Sequence, residues 1–220
     1  MKRGDGLALA GYALMALLTL GLAEALRQQG VSRRLTRKLV HVTAGISPLY
    51  VTYMAESKAV GLLPYVLTIA MNFVLWKTEL LDSMAESGNR PGIVYFPISQ
   101  SVLLAWLWEP GAASSRLPVA LSALLTLALG DAAAALVGQR FGQHKYKVLG
   151  SERSLEGSAA MFVVTAGAVG ATLALSDMPR DRALKNTLLA AAGATLVEAV
   201  SPYGVDNLTV PASVALILKT

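Results

Sequence analysis

Cysteine is absent from the 220 residues, and histidine occurs only twice. These shortages exclude disulfide staples, cysteine-bound zinc and iron-sulfur centres, and they leave too few imidazoles for a multi-histidine metal site. Any divalent ion would therefore sit on carboxylates. Charge is also scarce, at 15% of the chain, against roughly 25% in an ordinary soluble domain. A phosphate loop of the Gly-x-x-x-x-Gly-Lys-Ser/Thr type is missing, so any nucleotide would be bound by another device. What fills the chain instead is apolar: 54% hydrophobic residues and a mean hydropathy of +0.52 point to the bilayer as solvent. The net charge of +5 and pI near 9.6 do not indicate nucleic acid, because the basic residues lie in short loops beside apolar runs rather than on one soluble face.

Apolar stretches cover about 7–26, 39–54, 59–76, 93–108, 117–138, 158–176 and 184–200, with a shorter one at 208–218. Each of the first seven approaches the roughly 20 residues a span requires. The expected fold is all-α, a polytopic transmembrane helical bundle of about seven to eight spans, with 1–220 as a single integral membrane domain. Strands have no evident place. The run at 7–26 is too long for a signal-peptide core and reads as a retained first span. Trp76, Trp106 and Trp108 suit membrane interfaces.

Arg27, Arg33, Arg34, Arg37 and Lys38 fill the first loop, while Arg140, Lys145, Lys147 and Arg153 fill the fifth, on the same side. The positive-inside rule makes that side cytoplasmic, against a smaller opposing set of Arg180, Arg182 and Lys185. Asp82, Glu86, Arg90, Asp206 and Asn207 then face the cytoplasm too, where a soluble nucleotide could meet a membrane-embedded substrate. The expected location is the cell membrane.

Four constellations carry chemistry. Gly130, Ala134, Gly138 and Gly142 recur every four residues, a stripe that lets a neighbouring helix approach closely. Packing accounts for the stripe but not for Asp131, since an acid in a membrane helix requires a partner, an ion or a water-filled cavity. Downstream, Lys145, Lys147 and Arg153 precede Ser154-Leu-Glu156-Gly157-Ser158, where Ser154 or Ser158 caps the next helix and its first amides offer a phosphate seat. An ordinary basic loop and cap is the alternative. Glu198, inside an apolar run, and Asp206-Asn207 supply hard oxygen ligands of the kind magnesium takes, or else an ion pair and a turn. Arg37, Lys38 and His41 share one side of a helix start, as a phosphate grip or as topology anchors with a structural histidine.

Arg37-Lys38-x-x-His41, Pro91-Gly92-x-x-Tyr95, Gly130-Asp131-x-x-Ala134 through Phe141-Gly142, Arg153-Ser154-x-Glu156-Gly157-Ser158, and Glu198 with Asp206-Asn207-x-x-Val-Pro211 occur in an order that resembles the CTP-dependent dolichol, phytol and diacylglycerol kinase family. That family is distantly similar to CDP-diacylglycerol synthases. The resemblance spans roughly residues 33–215. It implies transfer of the terminal phosphate of CTP, or a related nucleotide, to a lipid alcohol such as phytol, a polyprenol or diacylglycerol. It also implies Mg2+ on Asp131, Glu198 and Asp206, with Arg37, Lys38, Lys145, Arg153, Ser154, Glu156, Gly157, Ser158 and Asn207 around the nucleotide. Asp131 or His41 is the base for the alcohol. Arg153 stands where the family commonly has lysine, which preserves charge but changes donor geometry.

Two other functions fit parts of this pattern. A membrane cytidylyltransferase would use the same acids and make a CDP-lipid. A transporter or scaffold would use intramembrane acids as coupling sites, although the candidates gather at one face and no inverted repeat is visible.

Overall fold

The computed structural model describes residues 2–78, 80–81, 83–84, 91–112, 115–202 and 204–219. Asp82, Glu86, Asn89 and Arg90 lie outside the described residues. The chain packs as two compact units, Met1–Ser115 and Arg116–Thr220.

The first unit holds α1 (Arg3–Gln28), α2 (Arg33–Met54), α3 (Lys58–Thr78) and α4 (Gly92–Leu107). Ser32 caps α2 by accepting from the Leu35 amide at 3.4 Å. Polar groups inside these apolar helices are spent across helix contacts, as a medium without water requires. The Tyr12 and Thr68 hydroxyls meet at 2.8 Å, Asn72 Nδ2 donates to the Ile93 carbonyl at 2.7 Å, and Gln100 Nε2 donates to the Ala44 carbonyl at 2.9 Å. Buried Asp5 accepts from the Glu56 and Ser57 amides, both at 2.9 Å, fixing the start of α1 on the α2–α3 connection. Trp108 departs from the interfacial expectation: it is 2% exposed and packs over Gly61.

The second unit holds α5 (Leu117–Phe141), β1 (Lys145–Val148), β2 (Ser151–Ser154), α6 (Leu155–Ala174), α7 (Arg180–Val200) and α8 (Asp206–Lys219). Its helices close a ring, α5 on α6, α6 on α7, α7 on α8 and α8 back on α5. The small-residue stripe of α5 forms a close seam with α6. A Cβ on Gly130 would lie 2.7 Å from Thr165 Oγ1 and 2.8 Å from Met161 Sδ, and one on Gly157 would lie 2.8 Å from the Ala134 carbonyl oxygen. Gly157→Ala is accordingly expected to cost about 1–3 kcal/mol through overpacking against backbone. The check is a lowered unfolding midpoint for the purified variant in detergent.

Two expectations are corrected. The antiparallel β1–β2 pair was not foreseen: its register sets Tyr146 opposite Arg153 and Lys147 opposite Glu152. Its two-residue turn uses positive φ at both Leu149 (46°) and Gly150 (79°), the geometry that matches the twist of paired strands. The seven to eight spans also reduce, among the described residues, to five helices long and apolar enough to cross a bilayer, namely α1, α3, α5, α6 and α7. Arg33, Arg34, Arg37 and Lys38 load the first turns of α2. Helix α4 has 16 residues and α8 has 14, so they reach roughly 24 and 21 Å at 1.5 Å per residue, short of a core about 30 Å thick.

Candidate active site at the end of the second helical ring

Between the two parts of α5 lies a π-helical turn, Thr126–Gly130, and Asp131 is the first residue after it. Such turns insert one extra residue and often accompany functional sites. Asp131 is half-buried there. Beyond α5, the hairpin folds back and delivers the chain into α6.

Residues of a strand alternate between faces, and this divides the basic side chains of the hairpin. Lys145 is exposed and bonds Glu152 at 2.9 Å, holding the Glu152 carboxyl below its ordinary pKa range. Tyr146 and Arg153 share the other face. The Tyr146 hydroxyl meets Ser158 Oγ at 2.7 Å at the start of α6, and Arg153 reaches the ends of α7 and α8.

Arg153 is the hub. Its Nε lies 2.9 Å from Glu198 Oε1, an ionic contact without hydrogen-bond alignment, and its Nη2 lies 3.4 Å from Asp206 Oδ2. The same Nη2 donates to the Ser201 carbonyl at 3.2 Å. Side-chain exposure falls from 27% at Arg153 to 14% at Asp206 and 5% at Glu198. Two carboxylates thus meet one guanidinium in a poorly solvated place. Ser201 Oγ joins this group to Thr209 of α8 at 2.7 Å. Half-buried Asn207 follows Asp206, whose Oδ1 accepts the Asn207 amide at 3.0 Å.

The first turn of α6 is engaged internally. Ser154 Oγ accepts from the Gly157 amide at 3.1 Å, the Leu155 amide donates to the His144 carbonyl at 2.9 Å, and the Glu156 carboxylate accepts from the His144 amide and touches its Nδ1 at 2.7 Å. Ser154, Glu156, Gly157 and Ser158 thus build the joint that aims Arg153. Sequence reasoning missed His144, Tyr146 and Ser201, because their partners are set by a hairpin that it did not anticipate.

Among the described residues, no three His, Asp or Glu side chains form a group able to hold a metal ion. Glu198 and Asp206 converge on Arg153, while Asp131 stands at the π turn of α5. Arg37, Lys38 and His41 occupy the start of α2 in the first unit, all half-buried, and the His41 ring packs on Phe96 with centroids 4.5 Å apart.

The chain is 33% identical to a phytol kinase of Synechocystis sp., covering 89% of this protein and 83% of that one. It is 28% identical to a probable chloroplastic phytol kinase of Triticum aestivum, over 85% of this chain and 67% of the relative. It is 26% identical to a chloroplastic farnesol kinase of Arabidopsis thaliana, over 70% and 52%. No protein-family model matches the chain, and no solved structure matches it. With a third of its residues shared across most of both chains, this membrane protein belongs to the phytol and farnesol kinase family of phosphotransferases.

Proposed function

We propose that the protein transfers the terminal phosphate of CTP to the hydroxyl of an isoprenoid alcohol of the phytol or farnesol kind, at the cytoplasmic end of the second unit. The observation that carries this reading is the convergence of Arg153, Glu198 and Asp206 from a hairpin and two helix ends. Phosphoryl transfer asks a protein mainly to position donor and acceptor and to stabilise charge, and a guanidinium held beside two acids is equipped for both.

Arg153 serves the phosphates, with Lys145 and Lys147 attracting the nucleotide from the solvent face of the hairpin. Ser154, Glu156, Gly157 and Ser158 hold that hairpin on α6. Glu198 and Asp206 offer the hard oxygens that magnesium takes, and Asn207 is a neutral neighbour. Magnesium commonly uses one or two carboxylates and completes its shell with water and substrate phosphates, so this pair fits. When bound, it would neutralise charge on the phosphates. Asp131 is the base that accepts the alcohol proton, and His41 is the second candidate. The alcohol's tail stays among apolar helices.

Competition identifies the donor. With phytol as acceptor, unlabelled CTP should suppress transfer from labelled CTP far better than ATP, GTP or UTP, and a chelator should stop it. Stronger suppression by ATP would reassign the donor. For orientation, a cysteine at position 145, in a chain with none of its own, should label from the cytoplasmic side only.

A further inference from the structure

Serine and threonine in membrane helices often donate to a carbonyl one turn back in the same helix, and in the second unit Thr172, Thr195 and Ser213 do so. Ser201 and Thr209 do more. Ser201 Oγ lies 2.7 Å from the Val197 carbonyl and 2.7 Å from Thr209 Oγ1, which itself lies 3.1 Å from the Val205 carbonyl. Each hydroxyl has one proton to give. The Val205 carbonyl already accepts the Thr209 amide at 3.0 Å, whereas the Ser201 amide goes to the Glu198 carbonyl at 3.3 Å and leaves the Val197 carbonyl to the Ser201 hydroxyl. The Thr209 proton then bridges the two helices, with Thr209 donating to Ser201 and Ser201 to Val197.

This bridge stands where the two acids meet. Glu198 precedes Ser201 by three residues at the end of α7, and Asp206 precedes Thr209 by three in the first turn of α8, a spacing that sets each acid beside its hydroxyl on one side of the helix. Ser201, 4% exposed, also offers its carbonyl to Arg153 Nη2 at 3.2 Å, and the same nitrogen lies 3.4 Å from Asp206 Oδ2. We propose that Ser201 and Thr209 are positioning residues: their hydroxyl bridge holds the end of α7 against the start of α8, so that Glu198 and Asp206 both reach Arg153. Its effect on the nucleotide rests on the kinase reading above, whereas its effect on the Arg153 contacts is independent of that reading.

The test uses the full chain in detergent with Ser201→Ala, Thr209→Val, the two together, and Thr209→Ser as the control that keeps the hydroxyl. Thr209→Val is also combined with Arg153→Ala, or with Arg153→Lys should that pair not fold. Thr209→Val should lower the unfolding midpoint by about 2–4 °C, and Ser201→Ala, which breaks two bonds, by more. The double variant should fall no lower than Ser201→Ala alone, and the losses from Thr209→Val and the Arg153 variant should sum to more than their combination shows. In steady-state kinetics Thr209→Val should raise the nucleotide KM about fivefold, the loss of one hydrogen bond, with the alcohol KM unchanged and Thr209→Ser close to the parent. Additive losses in either pair overturn the proposal, because the hydroxyls would then act separately or without reaching Arg153. A lowered midpoint with an unchanged nucleotide KM also overturns it, as does a Thr209→Ser variant that behaves like Thr209→Val. Should no alcohol be phosphorylated at all, the kinase reading falls and the two midpoint comparisons still decide the bridge.

Discussion

Replacing Arg153 with alanine is expected to cost about 3 kcal/mol of stability, the low end of the range for breaking a buried ion pair. It removes a guanidinium that touches both Glu198, at 5% exposure, and Asp206. Turnover falls with it: losing a charge-assisted contact of about 2 kcal/mol to phosphate reduces catalytic efficiency roughly thirtyfold. Two companions separate these effects. Arg153→Lys keeps the charge but lacks the fork that spans two carboxylates, so it should recover much of the activity and part of the stability. Adding Glu198→Gln to Arg153→Ala removes a buried charge and should restore stability without restoring activity. Thermal unfolding in detergent and kinetics with CTP and alcohol varied separately are the measurements. An Arg153→Ala variant of normal stability, altered only in its choice of alcohol, would place the hub on the wrong substrate.

Asp131→Asn is expected to reduce turnover by at least about a hundredfold, the lower range of general base catalysis, with the unfolding midpoint little changed. The amide keeps the shape of the side chain and loses its charge, and with it the capacity to take a proton. His41→Gln is the matched comparison, since His41 packs on Phe96 at the start of α2. If Asp131→Asn turns over normally and His41→Gln does not, the base is the histidine.

The helices were legible in the sequence because a bilayer leaves a chain few options: every backbone group has to be satisfied within the segment. The expected stretch 117–138 is the helix Leu117–Phe141, and 158–176 is Leu155–Ala174. The stripe from Gly130 to Gly142 was legible for the same reason, since only small residues permit the approach that α6 makes. The hairpin was hidden because half of its turn signal is missing. Gly150 is the usual residue for positive φ, but Leu149 occupies a position where Asn, Asp or Gly is favoured. The π turn was hidden because Thr-Leu-Ala-Leu-Gly reads as ordinary helix.

The acids at the site were legible individually, through the cost of charge in an apolar run. Their mutual arrangement was not. Periodicity places Glu198 on one helix and Asp206 just before the next, but it says nothing of a side chain arriving from a strand between two other helices. Once Arg153 is seen on the Tyr146 face of β2, its meeting with both carboxylates follows from the alternation of the strand. Of the two candidate caps, Ser154 and Ser158, it is Ser154 that bonds the helix start, and the structure adds that its bond from Gly157 and the bond from Leu155 to the His144 carbonyl engage two of the first amides of α6.

The most direct test is product analysis. Purified protein is incubated with magnesium, CTP labelled on its terminal phosphate, and a panel of phytol, farnesol, longer polyprenols and diacylglycerol, after which the lipid and nucleotide products are separated. The account predicts label on an isoprenoid alcohol as its monophosphate, with CDP formed in equal amount and both lost together in Asp131→Asn. Release of labelled pyrophosphate with a CDP-lipid product, or label on no alcohol under any donor, would contradict it.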